Sequence, residues 1–260
     1  MTSPARIVAP LVVGIVILAL WEGVVRIEGI PPYILPGPVL IAETLWRDGP
    51  SLLGSLLVTL RITLAALAAA VILGGAIAVL FAQSRLLEVS FFPYAVILQV
   101  TPIVSIAPLI IIWVNDTFLS LLICAWIVAF FPVVANTTLG LNSADRNLLA
   151  LFQLYGASRW QVLRHLRLPS ALPFFLAGVR ISGGLALIGA VVAEFVAGTG
   201  GTSTGLASRI LEAGYRLEIP RLFAALLLLS LTGILIFAAL SWLSNALLKR
   251  WHESALPEEE

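Results

Sequence analysis

Long blocks with almost no charge alternate along this chain with short polar stretches. Residues 8–27 are apolar apart from Glu22 and Arg26. At 1.5 Å per residue such a run crosses about 30 Å of hydrocarbon, which predicts a first spanning helix. A cleaved leader is the competing reading, and the lack of a small-x-small cleavage site before Trp21 and Glu22 speaks against it. Residues 28–50 hold Pro31, Pro32, Pro36, Pro38 and Pro50 among mixed charges. They predict a loop with a short interfacial helix at 38–47. Further apolar blocks predict spans at 58–82, 91–113, 118–140, 173–197 and 222–248, ahead of the polar tail KRWHESALPEEE. The fold class is therefore all-α, with six transmembrane helices and both termini on one side.

Three of these spans carry internal patterns. In the second, Ala66, Ala70, Gly74, Ala78 and Ala82 recur at every fourth residue, a stripe of small side chains that lets another helix approach closely within lipid. The third is interrupted by Pro93, Pro102 and Pro108. Broken backbone at membrane depth is tolerated where protein or a water-filled cavity satisfies the freed groups, so Pro102 and Pro108 are candidates for a translocation path or gate. A plain kink is the alternative. In the fifth, Gly178, Ser182, Ala186, Ala190 and Glu194 share one face, so the acid extends a packing stripe and points inward. A charge at the bilayer centre costs about 2.5–3.5 kcal/mol on the insertion scale, which makes Glu194 a second path or gate candidate. A structural acid bonded to a neighbouring loop is the other reading. Arg180 lies fourteen residues earlier, about 21 Å along the axis, too far to pair with Glu194 and placed to snorkel to the surface.

The one long polar interruption runs from Asn142 to Pro173. Leu148, Leu149, Leu151, Phe152 and Tyr155 recur at helical spacing, Gly156 offers the left-handed position that ends a helix, and Ser158 with Gln161 forms a capping box for a second helix. Pro169 is expected to stop that helix. The predicted shape is helix, glycine elbow, helix, bearing Arg146, Arg159, Arg164, His165 and Arg167 against a single acid, Asp145. Two readings are open at this point: a docking surface for a protein partner, or a basic amphipathic hairpin resting on lipid.

Composition fixes the environment. The chain is 60% hydrophobic and 11% charged, against about 45–50% and about 25% for globular proteins, so it is an integral membrane protein. A net charge of +1 with no long basic stripe argues against nucleic acid as a partner. The single cysteine, Cys124, has no companion for a disulfide or a metal site and reads as a small core residue. The glycine-rich GTGGTSTG at 198–205 lacks the Lys-Ser/Thr of a nucleotide-binding loop and predicts a re-entrant loop on the outer side. No metalloprotease or serine-hydrolase motif is present, so no catalytic residue and no metal ligand is assigned. Arg6, Arg85, Arg146, Arg159, Arg164, Arg167, Lys249 and Arg250 fall on the side of the termini, and Arg26, Arg47, Arg61, Arg209, Arg216 and Arg221 on the other. Four of the first set lie in one short loop, which makes that side, with both termini, cytoplasmic.

The segments LYGASRWQVLRHLRLPSALP, LAGVRISGGLALIGAVVAEF and LLKRWHES, with QVTPIVSIAPLIIIWV upstream, resemble the permease subunits of bacterial binding-protein-dependent ABC importers, in the branch serving nitrate, sulfonates and taurine. The likeness covers about residues 55–252. It implies an N-terminal helix and outer loop at 1–54, a permease domain at 55–252 containing the coupling loop 142–173, and a cytoplasmic tail at 253–260. It further implies that Tyr155, Gly156, Ala157, Ser158 and Arg159 dock on a cytoplasmic ATPase subunit. The chain itself would need no cofactor, since ATP and Mg would be held by that ATPase. The remaining implied partners are an extracytoplasmic solute-binding protein and a second permease copy, expected as a homodimer in the inner membrane. One departure stands out: the family's Glu-Ala-Ala triplet would fall where this chain has Ala150, Leu151 and Phe152. The rival function class is a self-sufficient secondary transporter or channel with Glu194 as proton carrier.

Overall fold

Eleven helical segments run in chain order through the residues that this computed structural model describes, 5–198 and 204–249. Helix α1 spans Ala5–Ile27 and α2 spans Pro38–Gln83. Next come α3 (Arg85–Val100), α4 (Ile103–Trp113) and α5 (Thr117–Asn142). The polar interruption holds α6 (Arg146–Leu154), α7 (Arg159–Val162) and a π-helical turn at Leu163–Arg167. Helices α8 (Leu168–Ala197), α9 (Leu206–Tyr215) and α10 (Ile219–Leu248) follow. Five of the helical runs are long and apolar enough to cross a membrane, and the α3–α4 pair brings the number to six when counted as one broken span.

Four points sharpen or correct the expectations. First, the interruption of the third span is one sharp break at Pro102: α3 and α4 meet at 99°. Proline has no amide to donate and disfavours helical backbone in the residue before it. Thr101 accordingly turns extended, at φ −69° and ψ 122°, and sends both its amide and its hydroxyl to the Ile97 carbonyl, at 3.0 and 2.7 Å, which closes α3. Second, Pro169 does not end the second helix of the polar loop, because the wider turn at Leu163–Arg167 precedes it and helical backbone runs on from Arg159 to Ala197. A π turn is one of the ways a helix takes up an irregularity of this kind. Third, the short helix expected at 38–47 is the start of α2, which continues through Pro50 at the loss of one backbone bond. Fourth, α9 occupies a stretch left without structure in the sequence reading. Most of the glycine-rich loop expected at 198–205, and the tail beyond 249, lie outside the described residues.

The described residues divide into two compact units. One comprises residues up to 58 together with 198–231. Within it the Trp21 and Phe223 rings lie 6.0 Å apart, and Glu22, bonded to Arg26 at 2.6 Å, accepts the Val39 amide at 3.1 Å. The acid that interrupts the first apolar block thus satisfies one of the unpaired amides at the start of α2. Arg209 donates to Ser55 at 3.1 Å and to Glu212 at 2.8 Å, and Arg216 adds a second ion pair to Glu212 at 2.9 Å.

The other unit comprises residues 59–197 and those from 232 onward. Its centre is the packing of α5 on α8, where backbones meet because glycine leaves no Cβ between them. A Cβ built on Gly189 would lie 2.8 Å from the Cα of Ala125, one on Gly178 would lie 2.7 Å from the Pro132 carbonyl oxygen, and one on Gly140 would lie 2.9 Å from the Cα of Ala171. Ser182 locks the pair with a 2.6 Å bond to the Ala129 carbonyl. The small stripe of α2 packs as predicted, with Ala66, Ala70 and Ala78 buried and Gly74 seated on Val133. Cys124 is buried in this core. Arg180 lies 5.9 Å from the centroid of the Phe237 ring.

Candidate functional site

The polar hairpin between α5 and α8 is built by capping chemistry at every joint. Ser143 closes α5 by returning its hydroxyl to the Gly140 carbonyl at 2.8 Å. Asp145 opens α6 by accepting the amides of Asn147 and Leu148 at 2.7 and 3.2 Å, the bonds that an N-cap aspartate makes to unpaired first-turn donors. At the far end the Gly156 amide bonds the Gln153 carbonyl at 3.0 Å and the Ala157 amide bonds the Phe152 carbonyl at 2.9 Å. This nested pair requires a left-handed residue just past the helix, and Gly156 sits at φ +67°. Two residues on, the Ser158 hydroxyl accepts the Gln161 amide at 3.3 Å while the Gln161 side chain accepts the Ser158 amide at 2.7 Å. The predicted elbow and capping box are both present.

The hairpin is anchored on its inner side and open on its outer side. Leu163 and Leu166 are buried, Leu163 in a cluster with Ala78, Leu141 and Ala171. Arg167 donates to the Ala82 carbonyl at 2.6 Å, satisfying one of the last carbonyls of α2. Leu154 and Tyr155 are each 84% exposed and Trp160 63%, while Arg146, Arg159, Arg164 and His165 are exposed around them. The expected docking residues Tyr155, Gly156, Ala157, Ser158 and Arg159 therefore share one turn at the tip. Beside it a cleft of about 330 Å³ is lined by Gln83, Gln153, Arg159 and Arg167 among others. Aromatic and arginine side chains at the centre of a solvent-facing patch are the composition of protein–protein hot spots.

The second candidate, Glu194, is 1% exposed. The other members of its stripe, Gly178, Ser182, Ala186 and Ala190, are buried with it, as the fourth-residue spacing predicts. The Thr59 hydroxyl donates to the Glu194 carboxylate at 2.7 Å, and Thr63 donates to the Thr59 carbonyl at 2.8 Å. Pro102 stands at the bend between α3 and α4 and Pro108 inside α4; both are exposed. The three path candidates thus do not share one environment. The sequence reading missed Asp145 as a cap, although aspartate just before a helical run is a readable signal, and missed Thr59, whose role depends on tertiary packing.

Residues 70–252 match the family described as binding-protein-dependent transport system inner membrane component. The chain is 36% identical to the riboflavin transport system permease protein of Chloroflexus aurantiacus, over 92% of its own length and 88% of the relative's. It is 33% identical to the formylaminopyrimidine transport permease protein of Halalkalibacterium halodurans, over 92% and 94%. With the taurine transport system permease protein of Escherichia coli it shares 29% identity over 91% and 87%. Among solved structures, an amino acid ABC transporter with histidines superposes with a TM-score of 0.63 at 18% identity, covering 78% of this chain and 96% of that one. The MetNI methionine ABC transporter in inward-facing conformations gives the same score and identity over 75% and 95%. At that identity the likeness concerns the fold.

Proposed function

Because this chain belongs to the inner membrane components of binding-protein-dependent transport systems and is the permease subunit of an ABC importer, we propose that its polar hairpin is the element through which a separate ATPase drives transport. The observation that carries the proposal is the tip, where Gly156 at φ +67° turns two capped helices so that Tyr155, Arg159 and Trp160 face outward. Around it we place two identical permease copies, both termini in the cytoplasm, and ATP and Mg bound by the ATPase and not by this chain. ATP-driven closure of the ATPase pair moves the hairpins. The coupled α5–α8 pair then tilts as a rigid body, because its backbones interlock at Gly140, Gly178 and Gly189. Glu194, held by Thr59, together with the hinge at Pro102 and with Pro108, gates the path on this reading.

The solutes named for the relatives, riboflavin, a formylaminopyrimidine and taurine, are small organic molecules. We propose that class for the present chain. The test is uptake of radiolabelled solute by proteoliposomes holding the chain, its ATPase and its binding protein. Uptake should require ATP and be indifferent to a proton gradient, and Glu194→Gln should lower it with assembly intact. Gradient-driven uptake without the ATPase would restore the secondary-transporter reading.

A further inference from the structure

Between the end of α2 and the helices of the hairpin lies the cleft of about 330 Å³ whose polar lining is Gln83, Gln153, Arg159 and Arg167. No carboxylate lines it. Among the described residues no ion pair engages Arg159 or Arg167 either. Arg167 donates once, to the Ala82 carbonyl at 2.6 Å, which holds its guanidinium in place and leaves the rest of its five donors. The π turn Leu163–Arg167 ends on this residue, and such turns occur mostly singly and often at functional sites. Two guanidinium groups and two side-chain amides, with no acid to neutralise them, form a donor set for an oxyanion, which arginine holds through paired, charge-assisted bonds.

The depth of the cleft selects the anion. Between Arg61 and Gln83 no charged or amide side chain interrupts α2, so residues 62–82 give about 32 Å of apolar helix, the thickness of the hydrocarbon layer. Gln83 therefore stands where the hydrocarbon ends, at the level of the lipid phosphates. The bond to Ala82 puts the Arg167 guanidinium at the same level. Basic pockets between spanning helices at this depth suit anionic headgroups, which the bilayer surface also presents at high local density. We propose that the cleft binds a phosphate group, and that its source is an anionic phospholipid of the leaflet on the hairpin's side. So bound, the phosphate ties α7 to the end of α2 through Arg159, Arg167 and Gln83. The site shares Arg159 with the coupling reading and rests otherwise on Gln83 and Arg167, which that reading does not use.

The experiment loads the full chain, in mild detergent, with phosphatidylglycerol or phosphatidylcholine and reads the lipid retained by native mass spectrometry. One phosphatidylglycerol should stay bound, and phosphatidylcholine should wash away. Gln83→Glu places an acid in the cleft without removing the Arg167–Ala82 bond, and should cut retention about fivefold or more, the scale of one arginine at an anionic surface. Arg167→Gln should do the same. Arg85→Gln should change nothing, since that exposed arginine pairs with Glu88 at 2.9 Å and lies outside the cleft. If Arg167→Gln fails to fold, Gln83→Glu decides. Equal retention of the two lipids, or wild-type retention in Gln83→Glu, overturns the site. If inorganic phosphate displaces the lipid and itself stays bound, the cleft belongs to a soluble anion and the lipid source is overturned. Loss of a copurified ATPase in Gln83→Glu with the lipid still held gives the cleft to a protein carboxylate, which also overturns the proposal. The coupling reading is tested separately, at Gly156, and survives any of these failures.

Discussion

Replacing Gly178 by alanine tests whether α5 and α8 move as one body. The added methyl would stand 2.7 Å from the Pro132 carbonyl oxygen, 3.1 Å from the Asn136 Cβ and 3.3 Å from the Val133 Cα, where ordinary contact begins at 3.4 Å. Two of these atoms are backbone, so no side-chain rotation relieves the clash, and the helices must part locally by about 0.7 Å. A gap of about 0.5–1 Å forfeits a quarter to a half of each dispersion contact along the seam, and overpacking of this kind costs about 1–3 kcal/mol. Alanine returns up to about 1 kcal/mol of helix propensity, leaving a net loss of up to about 2 kcal/mol. Gly184, on the same helix, has nothing within 4 Å of its built Cβ, so Gly184→Ala gains the propensity and incurs no clash. Equilibrium unfolding in mixed micelles should rank Gly178→Ala below wild type and Gly184→Ala at or above it. Equal unfolding midpoints for the two variants would refute the backbone contact on which the rigid-body argument rests.

Gly74→Leu should insert normally but fail to assemble, since even a Cβ there would meet Val133 Cβ and Cγ1 at 3.1 Å; fluorescence size-exclusion chromatography of the detergent extract reads the loss. In the α9 region, the hydrogen bond from Arg209, helped by the charges of Arg216, Arg209 and Arg221, holds the Glu212 carboxyl below its ordinary value of 4.5. A carboxyl depressed in the folded state stabilises above its unfolded pKa and loses that contribution as pH falls through the folded value. Amide exchange across Leu206–Tyr215 should therefore rise below pH 4.5, and Glu212→Gln should flatten the dependence.

How much of this is legible in the sequence depends on whether the signal is local. The elbow was readable because Gly156, Ser158 and Gln161 carry their own bonding partners within a few residues. The stripe ending in Glu194 was readable because spacing alone puts its members on one face. Which of its prolines breaks the third span was not, because Pro93, Pro108, Pro132 and Pro173 sit inside helices in the same chain. What distinguishes Pro102 is Thr101, whose amide and hydroxyl both go back to Ile97. Pro169 misled for the opposite reason, since the π turn before it, in which Leu163 and Leu166 are buried, leaves no mark in composition. Hydroxyls at Ser51, Ser55, Thr59 and Thr63 recur at every fourth residue of α2, a visible pattern. That Ser51, Ser55 and Thr59 meet Arg221, Arg209 and Glu194 required the folded chain.

The central claim, that the hairpin transmits ATPase motion to the membrane helices, is tested most directly at Gly156. Its φ of +67° is open to glycine, and no atom lies within 4 Å of a built Cβ, so Gly156→Val acts through backbone strain of about 1–2 kcal/mol and not through a clash. Ser158→Ala, which removes a helix cap worth about 1 kcal/mol without touching the left-handed position, is the control. The measurement is binding-protein-stimulated ATP hydrolysis by the reconstituted complex. The account predicts that Gly156→Val reaches the membrane at wild-type levels and loses stimulated hydrolysis, with Ser158→Ala less affected. Wild-type stimulation in Gly156→Val would contradict the account and return the hairpin to the lipid surface.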